Sequence, residues 1–325
     1  GSGLAFSPSG GEAAYLGVVD LEGLEQAMAR VQAGVDPADR AARSRLRPEM
    51  DRLQAQHTRI VVRDLASGRE EALAPEGLAA QGLLYHPRDG QMYVLATAQE
   101  EGAVPGLYRM GRQGTPALVS PAGRPVGDPF FAGEKVVYGT GRGSFALQEL
   151  ATGRLTEYQG STPVASADGS LLAFLGQEGG EGTVSVLSLT DPGPGPRVVA
   201  RAVATLSTST TRACFSCPVM RGLAVSPGGG RVAFQAMPRE DWEIFLASTA
   251  AEAAQAAPTQ LTREIQHDLY PAFLSETVVL GMKGEGRHRR AHLYDLETGE
   301  TVWLFRNNTV RTVAPEYEWA PSPDG

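Results

Sequence analysis

Two adjacent residues, His267 and Asp268, come closest to a reactive pair in this sequence. A carboxylate beside a histidine raises the pKa of the imidazole and orients the ring, which suits a general base or a histidine that holds a ligand. The structural alternative is that Asp268 accepts hydrogen bonds from backbone donors where two elements meet. We favour the structural alternative and keep an enzyme that acts through His267 and Asp268 as a separate hypothesis.

The two cysteines, Cys214 and Cys217, form a Cys-Phe-Ser-Cys motif. A structural zinc site needs two further ligands at suitable spacing, and Pro218 stands where a c-type haem motif has histidine. We expect a local disulfide or two unreactive thiols that pin a loop. Metal or redox chemistry is the open alternative.

The motifs of common hydrolases and nucleotide-binding enzymes do not occur in the sequence. It contains no Gly-x-Ser-x-Gly nucleophile motif, no His-Glu-x-x-His zinc motif and no Gly-x-x-x-x-Gly-Lys phosphate loop. We therefore predict no catalytic residue, no metal site and no cofactor in this chain.

The composition favours many short strands and excludes some partners. The 325 residues include 39 glycines and 22 prolines, which separate short apolar runs along the whole chain. The net charge of −8 argues against a general affinity for nucleic acid. The one dense basic run, Arg-His-Arg-Arg at 287–290, fits a solvated loop tip, with a functional patch as the alternative. No apolar run reaches the length of about 18 residues that a membrane-spanning helix needs.

One short pattern recurs along the chain: an apolar or aromatic pair, a turn of the Ser-Pro-x-Gly type, and an alternating apolar strand. Glycine in the turn tolerates the positive φ angles of a hairpin, and the preceding proline ends strand pairing. Clear copies of the turn lie at residues 7–11, 86–90, 166–169, 226–229 and 321–325, and weaker copies lie at 129–134 and 271–276.

A second pattern follows most copies of the first, and it is an alternating strand that ends in Asp-Leu-x-x-Gly or a close variant. The best copies end at Gly68, Gly153 and Gly299, and a short final strand follows each of them. Each unit of about 40–50 residues therefore contains four strands, which is the spacing of a β-propeller blade.

We predict an all-β fold, a β-propeller of six to seven four-stranded blades in a single domain over residues 1–325. A sheet of this size hides both apolar faces only when neighbouring sheets cover them. A seventh unit starts near Arg311 and contains one strand, so we expect a fragment of a longer chain; the alternative is that this final strand docks beside the N-terminal blade. The six full units are about 3–75, 76–121, 122–161, 162–205, 217–264 and 267–308.

Residues 21–57 interrupt the first blade with a helical pattern. Leu24 and Met28 lie at helical spacing, and Asp36 before Pro37 is typical of an N-cap that starts a second helix. We expect a helical hairpin that packs as a flap outside the ring. A lid over one face, or a docking surface, is the alternative.

The pairing of Ser-Pro-Asp-Gly-like turns with Asp-Leu-x-x-Gly turns resembles the WD40-like propeller repeat of TolB and of the N-terminal propellers of several exported peptidases. The resemblance covers nearly the whole chain, and its motifs mark blades. The stretch 264–325, with Gly-Met-Lys-Gly-Glu-Gly at 281–286, is similar to propellers fused to a zinc-dependent aminopeptidase domain. The resemblance implies a periplasmic or secreted protein.

A partner of such a propeller meets the mouth of the central channel, where the innermost strand of each blade begins. Residues just before those strands are therefore candidates to contact a ligand or partner. They are Asp128, Arg221, His267, Asp268, Tyr270, Glu316 and Glu318.

The expected function is that of a non-catalytic propeller that binds or gates, accessory to an exported hydrolase such as a peptidase. Its expected partner is a protein or peptide, including a catalytic domain in the same chain, and no nucleic acid is expected. A free-standing TolB-like interaction protein of the cell envelope is the alternative.

Overall fold

The computed structural model describes residues 3–304 apart from 37, 76, 101, 112–115, 180, 192, 194, 202–219, 239–240, 252–256, 264 and 285–289. These residues form six four-stranded antiparallel sheets and two helices. The predicted seventh unit, with Glu316 and Glu318, lies outside the described residues, as do Cys214 and Cys217.

In every sheet the strands follow one another in chain order, and neighbouring strands pair antiparallel. The first sheet contains β1 (Leu4–Phe6), β2 (Glu12–Val18), β3 (Thr58–Asp64) and β4 (Glu70–Leu73). The second contains β5 (Leu78–Tyr85), β6 (Met92–Ala98), β7 (Pro105–Met110) and β8 (Ala117–Leu118), and the third contains β9 (Gly127–Ala132), β10 (Lys135–Gly141), β11 (Ser144–Glu149) and β12 (Leu155–Gln159).

The remaining three sheets repeat this order. The fourth contains β13 (Ser161–Ala165), β14 (Leu171–Glu178), β15 (Glu181–Ser188) and β16 (Arg197–Arg201), and the fifth contains β17 (Met220–Val225), β18 (Arg231–Ala236), β19 (Glu243–Ser248) and β20 (Thr259–Gln260). The sixth contains β21 (Asp268–Phe273), β22 (Val278–Lys283), β23 (Arg290–Asp295) and β24 (Thr301–Trp303). The prediction of six four-stranded units is confirmed.

The chemistry of the turns explains why the strands pair in this order. After β23, Asp295 Oδ1 accepts hydrogen bonds from the backbone N–H groups of Glu297 and Thr298, both at 2.9 Å. Gly299 then adopts a φ of 74°, a conformation that costs glycine little. The Asp-Leu-x-x-Gly motif is therefore a carboxylate-capped turn that leads the chain back into β24.

The chain divides into two compact units. The first comprises residues 1–142 with 146–157, and the second comprises residues 143–145 with 158–325. In the first unit, apolar side chains fill the space between successive sheets, and β1 lies against β5. These buried side chains include Ile60, Val62, Leu83 and Val94 between the first two sheets, and Tyr93, Leu107, Val136 and Tyr138 between the next two.

The second unit repeats this packing with the fourth, fifth and sixth sheets. The first strands of these sheets lie side by side, β13 against β17 and β17 against β21. The buried side chains include Val184, Leu223, Phe234 and Phe245 between the fourth and fifth sheets, and Ile244, Phe273, Val279 and Tyr294 between the fifth and sixth. The fifth sheet thus buries apolar side chains against both the fourth and the sixth sheets, as propeller blades do.

The predicted helical hairpin is confirmed as α1 (Leu21–Gln32) and α2 (Arg40–His57), but its second N-cap was misplaced. Asp39 caps α2, because its Oδ1 accepts from the N–H groups of Ala41 and Ala42 at 3.0 Å. Asp36 instead accepts from the N–H of Ala38 in the preceding turn. Neither of the two helices that the structure describes is both long and apolar enough to cross a bilayer.

Candidate functional site

The residues predicted for the channel mouth lie mostly inside the first strands, not before them. Asp128 is the second residue of β9, Arg221 the second residue of β17, and Asp268 and Tyr270 belong to β21. Among the candidates that the structure describes, His267 alone directly precedes its strand. Each of these strands begins to pair before the position that the sequence pattern indicates. A bulge in the strand accommodates the shift in register, so pairing continues on both sides of it.

The bulges share an uncommon backbone conformation. Asp128, Thr162 and Tyr270 have φ angles of 43°, 52° and 54°, and each is followed by a proline. Residues other than glycine rarely adopt positive φ, and a proline cannot donate to the ladder at that point. A bulge redirects the side chain it carries, and Tyr270 is 47% exposed as a result.

A buried glutamine connects two neighbouring bulges in the second unit. Gln235, in β18, is fully buried, and its Oε1 accepts a hydrogen bond from the backbone N–H of Tyr270 at 3.0 Å. Gly222 stands at the bulge of β17 with a φ of 54°. A Cβ atom at Gly222 would collide with Gln235 Oε1, so glycine leaves the space that the glutamine needs.

A group of buried acidic side chains lies where β21 begins. Asp268 is fully buried, and its Oδ1 accepts a hydrogen bond from the hydroxyl of Tyr294 at 2.7 Å. Glu243, at the start of β19, is 5% exposed and accepts a hydrogen bond from Thr262 Oγ1 at 2.5 Å. Burial raises the pKa of Glu243 to about 7; the charges of Asp268 and Asp241 act in the same direction. Glu243 therefore changes its charge near neutral pH.

His267 is positioned by the loop that precedes β19. Its Nδ1 accepts a hydrogen bond from the backbone N–H of Trp242 at 3.0 Å, and Asp241 Oδ1 lies 3.5 Å from the same nitrogen. The carboxylate beside this nitrogen belongs to Asp241, a residue that sequence reasoning did not consider. The backbone N–H of Asp268 donates to Trp242 O at 2.7 Å, which holds β21 against the fifth sheet.

A cleft of about 850 Å³ opens beside these residues. Its lining comprises Arg263, Ile265, Gln266, Lys283, Arg290, His292 and Trp303. Asp268, Lys283 and Arg290 form one row across β21, β22 and β23, because Lys283 pairs with both of the others in the sheet. Directly paired residues of antiparallel strands project from the same face, so this row points toward one side of the sixth sheet.

The rim of the cleft combines positive charge with an aromatic ring. The guanidinium carbon of Arg290 lies 4.6 Å from the ring centroid of Trp303, a distance suited to a cation–π contact. The His292 ring, on the same strand as Arg290, lies 5.5 Å from the same indole. A guanidinium held flat against a ring presents its N–H donors in a fixed direction, and such donors bind carboxylates well.

Sequence reasoning missed most of this cleft. Arg290 was interpreted as part of a loop tip, although it starts β23; Arg263, Lys283 and Trp303 were not considered. Lys283 lies opposite Arg290 because β22 pairs with β23, and the sequence spacing gave no signal for that register.

Comparison with known proteins gives the fold. No protein-family model matches the chain, and no curated protein matches it. A puromycin-hydrolyzing peptidase of Mycobacterium tuberculosis is similar in structure, with a TM-score of 0.53 and 15% identity over 93% of this chain and 46% of the peptidase. An oligogalacturonate lyase solved in complex with manganese has a TM-score of 0.50 and 11% identity over 72% of this chain and 70% of the lyase.

The chain is a β-propeller. TolB of Acinetobacter baumannii is also similar, with a TM-score of 0.42 and 12% identity over 76% of this propeller and 59% of TolB. The propeller thus spans less than two thirds of TolB and about half of the peptidase. At these identities the similarity establishes the fold alone.

Proposed function

We propose that this propeller binds a peptide or protein segment without cleaving it, and that the segment's carboxylate enters the cleft that Lys283, Arg290 and Trp303 of the sixth sheet line. One observation carries the proposal: Arg290, stacked on Trp303, and Lys283 line a cleft directly beside His267 and Asp268. The propeller as a whole is acidic, with a net charge of −8, so a cluster of basic side chains around one cleft is a local exception.

Two buried acidic residues, Asp268 and Glu243, lie near this positive rim. Asp268 accepts a hydrogen bond from the hydroxyl of Tyr294 and pairs with Lys283 in the sheet. Glu243 is partly protonated near neutral pH because burial raises its pKa to about 7. Arg290 and Lys283 supply the guanidinium and ammonium donors for the carboxylate of a ligand.

An accessory role beside a hydrolase is the second part of the proposal. The similar mycobacterial peptidase is roughly twice as long as this chain. In a periplasmic or secreted protein of that kind, the propeller would screen peptides or dock a catalytic domain. We propose Asp128, Arg221, Tyr270, Glu316 and Glu318 as further contacts for that partner. A free-standing interaction propeller of the cell envelope is the alternative.

Calorimetric titration with matched peptides tests the binding site. The probes are one set of short peptides prepared as free acids and as C-terminal amides. We expect the free acids to bind at least about tenfold more tightly, and the double variant Lys283→Gln, Arg290→Gln to lose that difference. Arg201→Gln removes an exposed arginine that lies outside the cleft lining, so it is a matched control and binding should be unchanged.

Two results would contradict the proposal. Equal binding of the acid and amide forms would show that the carboxylate is not recognised. Tight binding of trigalacturonate, with no binding of peptides, would show that the cleft takes an anionic sugar instead of a polypeptide. Either result would leave the fold unaffected and would remove the argument for a peptide.

A further inference from the structure

One apolar residue in the lining of the cleft that Lys283 and Arg290 share is almost fully exposed. Ile265 belongs to this lining and is 91% exposed. No other large apolar residue in the described part of the chain is as exposed. Isoleucine is among the residue types most often buried, and covering apolar surface is favourable by about 25 cal/mol per Å². A ligand with an apolar group that covers Ile265 therefore gains binding free energy.

Trp303 gives the same cleft a second apolar surface. It is 46% exposed, although the guanidinium of Arg290 lies 4.6 Å from its ring centroid. Single exposed apolar residues are ordinary on a protein surface, whereas apolar and aromatic side chains around one concave pocket with a few polar groups are typical of a binding site. The cleft volume of about 850 Å³ lies within the range of ligand pockets.

The positive and aromatic parts of the lining lie on one face of the sixth sheet. His292 pairs with Trp303 across β23 and β24, so both side chains project from the same face. Arg290 shares that face, because it belongs to β23 with His292 and alternate residues of a strand point to the same side. Lys283 pairs with Arg290. His292 is 4% exposed and is the most buried residue of the lining, so an aromatic ring forms its deepest part.

The charge of the lining suits an anion. Its described residues include three basic side chains, those of Arg263, Lys283 and Arg290, and no acidic one. The buried acids nearby, Asp268 and Glu243, do not belong to the lining. A ligand that matches the whole cleft therefore carries a negative group and an apolar group close together.

We infer that the cleft selects peptides by their last residue, whose α-carboxylate meets Arg290 and Lys283 and whose large apolar side chain covers Ile265 and Trp303. The C-terminal residue is the one place in a polypeptide where a carboxylate and an apolar side chain are attached to the same carbon atom. In aspartate and glutamate the carboxylate ends the side chain, which leaves no apolar group to cover Ile265. This inference rests on the proposed function and adds to it the class of terminal residue that is bound.

Calorimetric titration of the full chain with three N-acetylated tripeptides tests the inference. The probes are acetyl-Ala-Ala-Phe, acetyl-Ala-Ala-Ser and acetyl-Phe-Ala-Ala, all as free acids. We expect the first to bind at least about tenfold more tightly than the other two. Acetyl-Phe-Ala-Ala is an isomer of the first peptide with the same charge, so the difference between these two reports where the ring must stand.

Variants of Ile265 link this preference to the cleft. Ile265→Ser should lower the preference for terminal phenylalanine over serine to about threefold or less, because it removes exposed apolar surface. It should keep the preference for acids over amides, since Lys283 and Arg290 are unchanged, and Ile265→Leu should keep both preferences. Leu65→Ser is the matched control, because Leu65 is 46% exposed and lies outside the lining, and both preferences should stay unchanged.

The outcomes separate this inference from the proposed function. If free acids bind more tightly than amides but acetyl-Ala-Ala-Phe and acetyl-Ala-Ala-Ser bind equally, carboxylate recognition stands and the inference is overturned. An undiminished preference for phenylalanine in Ile265→Ser would also overturn it, as would equally tight binding of acetyl-Ala-Ala-Asp amide, whose carboxylate is on the side chain. If no peptide distinguishes acid from amide, the proposed function fails and the inference fails with it.

Discussion

The hydroxyl of Tyr294 donates a 2.7 Å hydrogen bond to Oδ1 of Asp268, and both side chains are buried between the fifth and sixth sheets. Tyr294→Phe keeps the ring and removes the donor, which leaves a buried carboxyl oxygen with one fewer partner. We expect a loss of about 1–3 kcal/mol in the free energy of unfolding, measured by urea denaturation.

An exposed tyrosine in the same type of contact provides the control. The hydroxyl of Tyr15 donates to Glu70 Oε1 at 3.0 Å on the surface. Tyr15→Phe should change stability by less than about 0.5 kcal/mol, because water replaces the lost partner. Similar effects of both substitutions would mean that Asp268 is not a buried acceptor.

Glu243 gives the protein a pH-dependent stability. Its pKa is about 7 in the folded protein, against 4.5 as the ordinary value. Below pH 4.5 Glu243 holds its proton in both the folded and the unfolded states. Its contribution to the free energy of unfolding is then at its largest. As the pH rises from about 4.5 to about 7, the unfolded state loses the proton before the folded state does. The contribution of Glu243 to the free energy of unfolding falls over this range and disappears once the folded protein has also lost the proton. The total change is at most about 3 kcal/mol.

Comparing wild type with Glu243→Gln isolates this contribution, because glutamine stays neutral and still accepts from Thr262. The difference in unfolding free energy between the two proteins should change by up to about 3 kcal/mol from pH 4 to pH 8. Glu297→Gln, at an exposed position of the last turn, should show no such change. A difference that is independent of pH would rule out a raised pKa at Glu243.

Gly222 is required by the bulge of β17 for two separate reasons. A side chain there would adopt a φ of 54° and would press on Gln235 Oε1, the acceptor for Tyr270. Gly222→Ala should therefore lower the unfolding free energy by about 2 kcal/mol or more. Gly230→Ala is the matched control, because its Cβ meets no atom within 4 Å, and its effect should be small. Equal stability of the two variants would contradict the account of the bulge.

The start of α2 offers a direct comparison of two aspartates. Asp39 accepts from two N–H groups of the first turn of α2, and Asp36 accepts from one N–H outside the helix. Asp39→Ala should cost about 1 kcal/mol, as loss of an N-cap does, and Asp36→Ala should cost less. Thermal unfolding monitored by circular dichroism measures both, and a larger effect at Asp36 would place the cap where the sequence pattern put it.

Local chemistry made the blades predictable from the sequence. Asp295 and Gly299 define their turn within five residues, and the apolar alternation on either side fixes which face is buried. The helices of residues 21–57 were predictable for the same reason. The N-cap was not, because both aspartates lie close before the helix and the backbone conformation chooses between them.

The candidate site was less predictable because it depends on contacts between sheets. Asp241 reaches His267 from the preceding sheet, and Glu243 is buried only when the fifth and sixth sheets pack together. Trp303 and Arg290 come into contact because β23 and β24 pair. Neither residue belongs to a recognisable sequence motif. Spacing along the chain gives no signal for such contacts until the register is known.

The most direct test of the central claim is to ask whether a bound peptide survives. The free-acid peptides described above are incubated with a saturating amount of the chain, with and without zinc, and mass spectrometry measures the intact fraction. We predict that the peptides bind and are recovered intact under both conditions. Cleavage products that form with the wild-type chain and disappear with His267→Ala would contradict a non-catalytic binding role.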